Sequence, residues 1–355
     1  MASAILKSFY TMAAILGSMT SLYGATRQYF VAAEEINWNY APGGNMLGQI
    51  FCATADNVWV KRGAQGLPPI FKKAVFREYT DQTFATKTVL SESWAHLGIL
   101  GPVFRAEVGD TIAVTLKNRT RFPVSIHPHG VQYDKVNEGS DYIAGTVGKQ
   151  SGSFVAPGQT FTYRWFVPER AGPGPNEPSS KAWLYHSHVD SPRDTNAGLI
   201  GVIIVTRRGE ARPDGSPVGV DREFVTLYTI LDENQSQLME DNASVLVKEP
   251  EANNFYTING FIFGNVPHLQ MRIGEKVRWY LIGFGSESDI HVPHWHGNVV
   301  MVDGKQSDVV ELLPASMRVA DMIPDSIGVW FYHCHVDEHM TSGMVARYEV
   351  MGPGN

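Results

Sequence analysis

Cysteine is nearly absent from this chain: 355 residues carry two, Cys52 and Cys334. If Cys334 is a metal ligand, no intramolecular disulfide remains possible, and cysteine usage leaves the redox compartment open. A strong excess of one charge sign is also missing, with 29 basic and 36 acidic residues. With 18% charged residues and a net charge of −7, neither nucleic acid nor an anionic membrane is an expected partner. Long apolar runs are missing too. The longest candidate, Phe9 to Met19 behind Lys7, is too short and too broken by Ser and Thr to span a bilayer. It reads instead as a secretory signal over residues 1–26, which predicts export to the periplasm or the cell exterior. Extended helical periodicity is scarce as well, which excludes a helical bundle.

The sequence is written as one unit repeated. Phe104-Arg-Ala-Glu-Val-Gly-Asp-Thr-Ile-Ala-Val-Thr-Leu116 in the first half matches Leu269-Gln-Met-Arg-Ile-Gly-Glu-Lys-Val-Arg-Trp-Tyr-Leu281 in the second. Both alternate apolar and polar residues across a Gly-acid pair, the pattern of strand–turn–strand. Each half then carries His-x-His-Gly and later Trp-x-Tyr-His-x-His-Val-Asp. Arg207 to Pro217, polar and rich in Gly and Pro, reads as a linker. The expectation is an all-β chain of two β-sandwich domains, residues 27–208 and 220–355.

Histidine is the informative residue. Of twelve, ten fall into four clusters: His127-Pro-His129, His186-Ser-His188, His291-Val-Pro-His294-Trp-His296, and His333-Cys334-His335 with His339. The two left over, His96 and His268, read as ordinary surface or loop residues. On a strand, residues i and i+2 face the same way. His333 and His335 therefore share one face while Cys334 points to the other, so one short strand touches two metal sites. His294 and His296 share a face, and His291 falls on the opposite one if the stretch stays extended through Pro293.

The first site collects His291, Cys334, His339 and Met344. Two imidazoles, a thiolate and a weak thioether are the ligands of a blue-copper electron-transfer centre. Zinc takes Cys and His but has little use for Met at that spacing. The second site collects His127, His129, His186, His188, His294, His296, His333 and His335. All-imidazole ligation suits copper, and eight imidazoles divide naturally as two on one ion and three on each of two others. In the first half Val124 stands at the place of His291, Ser187 at that of Cys334, Pro192 at that of His339 and Leu199 at that of Met344. The blue site therefore belongs to the second domain alone, giving four coppers per chain.

These clusters resemble those of the multicopper oxidases, and the likeness covers almost everything after the signal-like segment. Glu78-Tyr-Thr-Asp-Gln-Thr-Phe84, Leu97-Gly-Ile-Leu-Gly-Pro102, Tyr185-His-Ser-His-Val-Asp190, Asp221-Arg-Glu-Phe224, Asp232-Glu-Asn234 and Thr257-Ile-Asn-Gly260 are similar to the ceruloplasmin/hephaestin branch. The resemblance implies two cupredoxin-like Greek-key domains. It assigns His127 and His294 to type 2 copper, and His129, His186, His188, His296, His333 and His335 to the type 3 pair. His291, Cys334, His339 and Met344 would then hold type 1 copper, with Cys334, His333 and His335 forming the electron route. O2 is the implied acceptor. A two-domain chain would assemble the trinuclear cluster between copies, in a closed homotrimer.

For the donor, Fe(II) comes first, because Glu251 and Glu338, with Asp337 adjacent, match carboxylates that bind it in ferroxidases of this branch. Tyr256 departs from that pattern, standing where some ceruloplasmin domains have an iron-binding histidine. Phenols or other organic donors follow, then Cu(I) or Mn(II). A copper nitrite reductase would carry its blue ligands in the first domain and one three-histidine ion between chains. A non-enzymatic copper-binding protein would lack some ligands, whereas the set here is complete.

Overall fold

The computed structural model describes residues 24–47, 57–64, 68–142 and 152–354. Cys52 and the signal-like segment through residue 23 lie outside them. The first half contains strands β1 (Thr26–Asn39), β2 (Ile70–Tyr79), β3 (Val103–Glu107), β4 (Thr111–Asn118), β5 (His127–Pro128), β6 (Thr160–Phe166), β7 (Ser180–His186) and β8 (Ile200–Thr206), with helices α1 (Val58–Ala64) and α2 (Ser191–Ala197). The second contains β9 (Arg222–Asp232), β10 (Asn254–Ile258), β11 (Gln270–Arg272), β12 (Val277–Gly283), β13 (Pro293–Trp295), β14 (Val300–Val302), β15 (Lys305–Ser307), β16 (Ser316–Met322), β17 (Gly328–Cys334) and β18 (Val345–Met351), with helix α3 (Asp337–Thr341).

Each half builds two sheets. Their orders are β2-β1-β4-β6 and β3-β8-β7-β5, then β10-β9-β12-β16-β14-β15 and β11-β18-β17-β13. The repeat extends to strand direction: β1 runs parallel to β4 as β9 does to β12, and β3 to β8 as β11 to β18. The Gly-acid pairs do join strand to strand, as the alternation predicts. The strands flanking Gly109 and Gly274 do not pair as hairpins but enter different sheets. The acid after each glycine explains the geometry. Asp110 accepts from the backbone N–H of Glu107 and from Arg27, whereas Glu275 accepts from the N–H of Arg272 and from Arg222. Each carboxylate caps the turn and ties it to the first strand of the opposite sheet.

Inward-facing residues of the two sheets in each half form a core, around Phe104, Tyr163, Trp165 and Tyr185 in one and Trp279, Trp295, Tyr332 and Tyr348 in the other. The halves also share a core. Leu184, Ile200, Val202 and Ile204 pack with Val225, Leu227, Tyr280 and Ile282 across the junction. His96, read from sequence as a surface or loop residue, is fully buried there, with Nε2 accepting from the N–H of Val225 at 3.2 Å and Nδ1 3.0 Å from the carbonyl of Ser93. An isolated histidine in a polar-looking stretch carries no signal of this. His268 is partly exposed beside Glu92. Trp59 of α1 packs on Phe71 and on Phe255 of β10, a further contact between the halves.

Candidate metal centres

The histidine pairs sit at matching places in the two sandwiches. In the first half β5 pairs with β7 so that His127 faces His186; in the second β13 pairs with β17 so that His294 faces His333. His129 Nε2 lies 3.4 Å from His186 Nε2, and His296 Nε2 lies 3.0 Å from His333 Nε2. The far nitrogens are held by backbone carbonyls. His127 Nδ1 lies 2.7 Å from the oxygen of Glu138, and His294 Nδ1 lies 2.9 Å from that of Asp308. His186 Nδ1 lies 2.9 Å from the carbonyl of Ser187, and His333 Nδ1 lies 2.8 Å from that of Cys334. A carbonyl accepts only, so the proton of these four rings sits on Nδ1 and the Nε2 lone pair is left for a ligand.

Imidazole centroids stand 5.2–5.7 Å apart in contact pairs of the first set and 4.8–5.8 Å apart in those of the second. His294, His296 and His333 bring three nitrogens within 4.8 Å of one another. His188 is steadied by Ser140, whose hydroxyl lies 3.1 Å from its Nδ1. Burial drives His129 and His333 down to about 4 and His186 to about 3, so these rings are neutral at pH 7, as metal ligands must be. Among the described residues, the ring contacts between these eight imidazoles stay within one set, and none joins the first four to the second four. His296 and His335 are exposed, leaving the second set open at the surface.

On the other face of β17 lies a different site. Cys334 is free and buried, and its Sγ accepts from the N–H of Val292 at 3.3 Å. That Sγ lies 3.7 Å from His339 Nδ1, which lies 3.1 Å from His291 Nδ1, and the three ligand atoms fall within 4.8 Å of one another. Met344 is fully buried; its carbonyl accepts from the N–H of Cys334, and its own N–H donates to the carbonyl of His339. Burial pushes the Cys334 thiol up and brings His339 down to about 4. A buried, unbridged thiol facing two imidazoles is a donor set that fits a soft, thiolate-preferring ion such as copper. Asp289, missed in the sequence, accepts from His291 Nε2 at 3.1 Å. Its place two residues before His291, hence on the same face of an extended chain, was the available signal.

The first half shows the same frame with other side chains. Ser187 Oγ accepts from the N–H of Ser125 at 3.1 Å, as Cys334 Sγ does from Val292. The N–H of Ser187 donates to Leu199, as that of Cys334 does to Met344. The N–H of Leu199 reaches Asp194, as that of Met344 reaches His339. The counterpart of His339 is therefore Asp194, not Pro192, because the segment before Leu199 is two residues longer. Asp194 is buried and accepts from the hydroxyl of Ser187 at 2.6 Å.

The carboxylates expected to bind Fe(II) are all exposed: Glu251 on a short turn of helix, and Asp337 and Glu338 in the first turn of α3. They do not meet as a set of three within 4.8 Å among the described residues. Tyr256 packs tilted against His339, centroids 5.1 Å apart, and burial and the neighbouring Glu338 both raise its pKa. It lines a cleft of about 440 Å³ between the halves, together with Phe284, Asn254, Gln235 and Asp289.

Two paired sandwiches with a cysteine site in one and imidazole sets in both define a class of copper protein, and sequence comparison agrees. Family models described as multicopper oxidase match residues 95–210 and 239–353. The chain belongs to the multicopper oxidase family, in its ceruloplasmin/hephaestin-like branch. It is 39% identical to a ferroxidase of Mus musculus over 94% of this chain, and 38% identical to hephaestin of Mus musculus over 92%. Ceruloplasmin of Rattus norvegicus is 38% identical over 91% of this chain. The chain spans only 30–32% of the length of these relatives. Among solved structures, a multicopper oxidase gives a TM-score of 0.60 at 21% identity, covering 92% of this chain and 89% of that one. A copper nitrite reductase from Nitrosomonas europaea gives 0.57 at 20%, covering 92% and 94%. These two likenesses speak for the cupredoxin-like fold alone.

Proposed function

We propose that this chain oxidises a donor, Fe(II) first, one electron at a time and passes the electrons to O2, yielding water. Bound copper would supply the one-electron chemistry and the reduction of O2. His291, Cys334 and His339, with Met344 as a weak fourth ligand, would hold type 1 copper. His127 and His294 would hold type 2, and His129, His186, His188, His296, His333 and His335 the type 3 pair, four ions per chain in all. The observation that carries the reading is the division at the end of β17: Cys334 Sγ faces His339 while His333 Nε2 faces His296. The peptide links from Cys334 to His333 and His335 join the two sites covalently, and the backbone carbonyls behind four of the imidazoles keep their Nε2 lone pairs directed inward.

Fe(II) is favoured by the ferroxidase among the relatives and by acids at the type 1 rim, where Glu338 stands beside Tyr256 and Tyr256 beside His339. Iron prefers oxygen ligands, and exposed carboxylates suit a substrate that binds and leaves. Tyr256 and its cleft favour a second reading, an organic donor such as a phenol. The separation of the imidazole sets supports assembly as a homotrimer, domain one of each copy meeting domain two of the next. The signal-like segment supports work outside the cell or in the periplasm. Oxygen uptake by copper-loaded protein should be fastest with Fe(II), compared with a phenol and Cu(I), and should fall in Glu251→Ala and Glu338→Ala. Fe(II) turnover untouched by both changes would remove the iron site.

A further inference from the structure

We infer that Asp289 is a positioning residue for the type 1 site: its carboxylate fixes the His291 ring by the far nitrogen and lowers the potential of the copper that ring binds. This rests on His291 being a copper ligand, as proposed above. Its Nδ1 turns toward the ligand cluster, 3.1 Å from His339 Nδ1, while its Nε2 lies 3.1 Å from Asp289 Oδ1. Asp289 is 1% exposed and cannot swing away. The N–H of Ile230 donates to Oδ1 at 2.7 Å, and the N–H of Ser286 donates to Oδ2 at 2.7 Å.

The partner is unusual within the chain. His127, His186, His294 and His333 each donate to a neutral backbone carbonyl. His294 lies 3.8 Å from the carboxylate of Asp308, farther than from the carbonyl of the same residue. His291 instead meets a carboxylate directly. An anionic acceptor draws the Nε2 proton toward itself and raises the basicity of Nδ1. A more basic ligand favours Cu(II) over Cu(I), which lowers the potential. The other half supplies a control. Val124 stands for His291 there, and Phe122 stands for Asp289, so the half without the ligand also lacks the carboxylate.

The test is Asp289→Asn, which keeps the size and one carbonyl oxygen while removing the charge. In the copper-loaded blue protein, the type 1 Cu(II)/Cu(I) equilibrium should shift about tenfold toward Cu(I), equivalent to about 59 mV upward for one electron. Cu(II) affinity at that site should fall roughly 10–100-fold. Ser286→Ala loosens the turn but spares the His291 contact, and its potential should match the parent. An unchanged potential in a folded, blue Asp289→Asn protein overturns the inference and leaves the type 1 assignment standing. A parent protein that binds copper with no blue band overturns both. If Asp289→Asn does not fold, nitrogen-15 NMR of the Cu(I)-loaded parent decides. The His291 Nε2 proton should be visible, downfield and slow to exchange, and its absence overturns the inference.

Discussion

Cys334 and Ser187 accept equivalent backbone N–H groups, so the frame at both positions tolerates either side chain. Cys334→Ser should therefore fold and keep copper at the imidazole sites while losing the blue absorption band. A visible spectrum with a copper count checks this, and a surviving blue band would refute the cysteine ligand. At this scale the sequence was informative because ligands are rare residue types at fixed spacings. It was less so where a partner acts through another side chain, as Asp289 does through His291. It misled where chain length changed: counting from the histidines placed Pro192 opposite His339, whereas the hydrogen bonds align Asp194 there.

Strand alternation revealed which residues share a face, but not which sheet a strand joins. The Gly-acid turns were legible as strand–turn–strand, but that the two strands part into different sheets follows from long-range pairing, to which the ties from Asp110 to Arg27 and from Glu275 to Arg222 contribute. Two other element-scale features explain recurring motifs. Gly130 and Gly297 follow the His-x-His pairs at φ +78° and +74°, and a Cβ there would meet Trp183 at 2.2 Å and Trp330 at 2.6 Å. The glycine of one motif thus accommodates the tryptophan of the other. Gly297→Ala should destabilise the second sandwich by about 1–3 kcal/mol and weaken copper binding at His294 and His296. Denaturant unfolding and copper titration check it.

His96 gives a second element-scale outcome. Burial lowers its pKa to about 4, so between about pH 6.5 and 4 the unfolded chain binds a proton that the folded one refuses. Stability therefore rises with pH across that window and is lost as pH falls through it, by about 3 kcal/mol at the acid end. His96→Gln should flatten this part of the pH–stability curve in urea unfolding, whether or not copper is bound. An unaltered curve would show that His96 is not the group responsible.

At the scale of the whole molecule, the repeat places one imidazole set in each sandwich, and no imidazole contact joins the sets among the described residues. The shared core of Leu184, Ile204, Val225 and Ile282 fixes the two sandwiches against each other, so closing one set on the other within a chain would break apolar packing. The closed ring proposed above would avoid that cost, because domain one of each copy would meet domain two of the next. The two arrangements differ in complementation. One variant, His127→Ala with His129→Ala, lacks a working first set; another, His294→Ala with His296→Ala, lacks a working second set. Each alone should be inactive in O2 reduction. When the two are mixed in equal amounts, unfolded and reassembled together, about one quarter of the interfaces should unite two intact sets if copies join at random around the ring. O2 uptake should return to about that fraction of the parent rate, and the active species should sediment as a trimer. If each cluster instead forms inside one chain, every chain in the mixture carries a broken set and no activity returns.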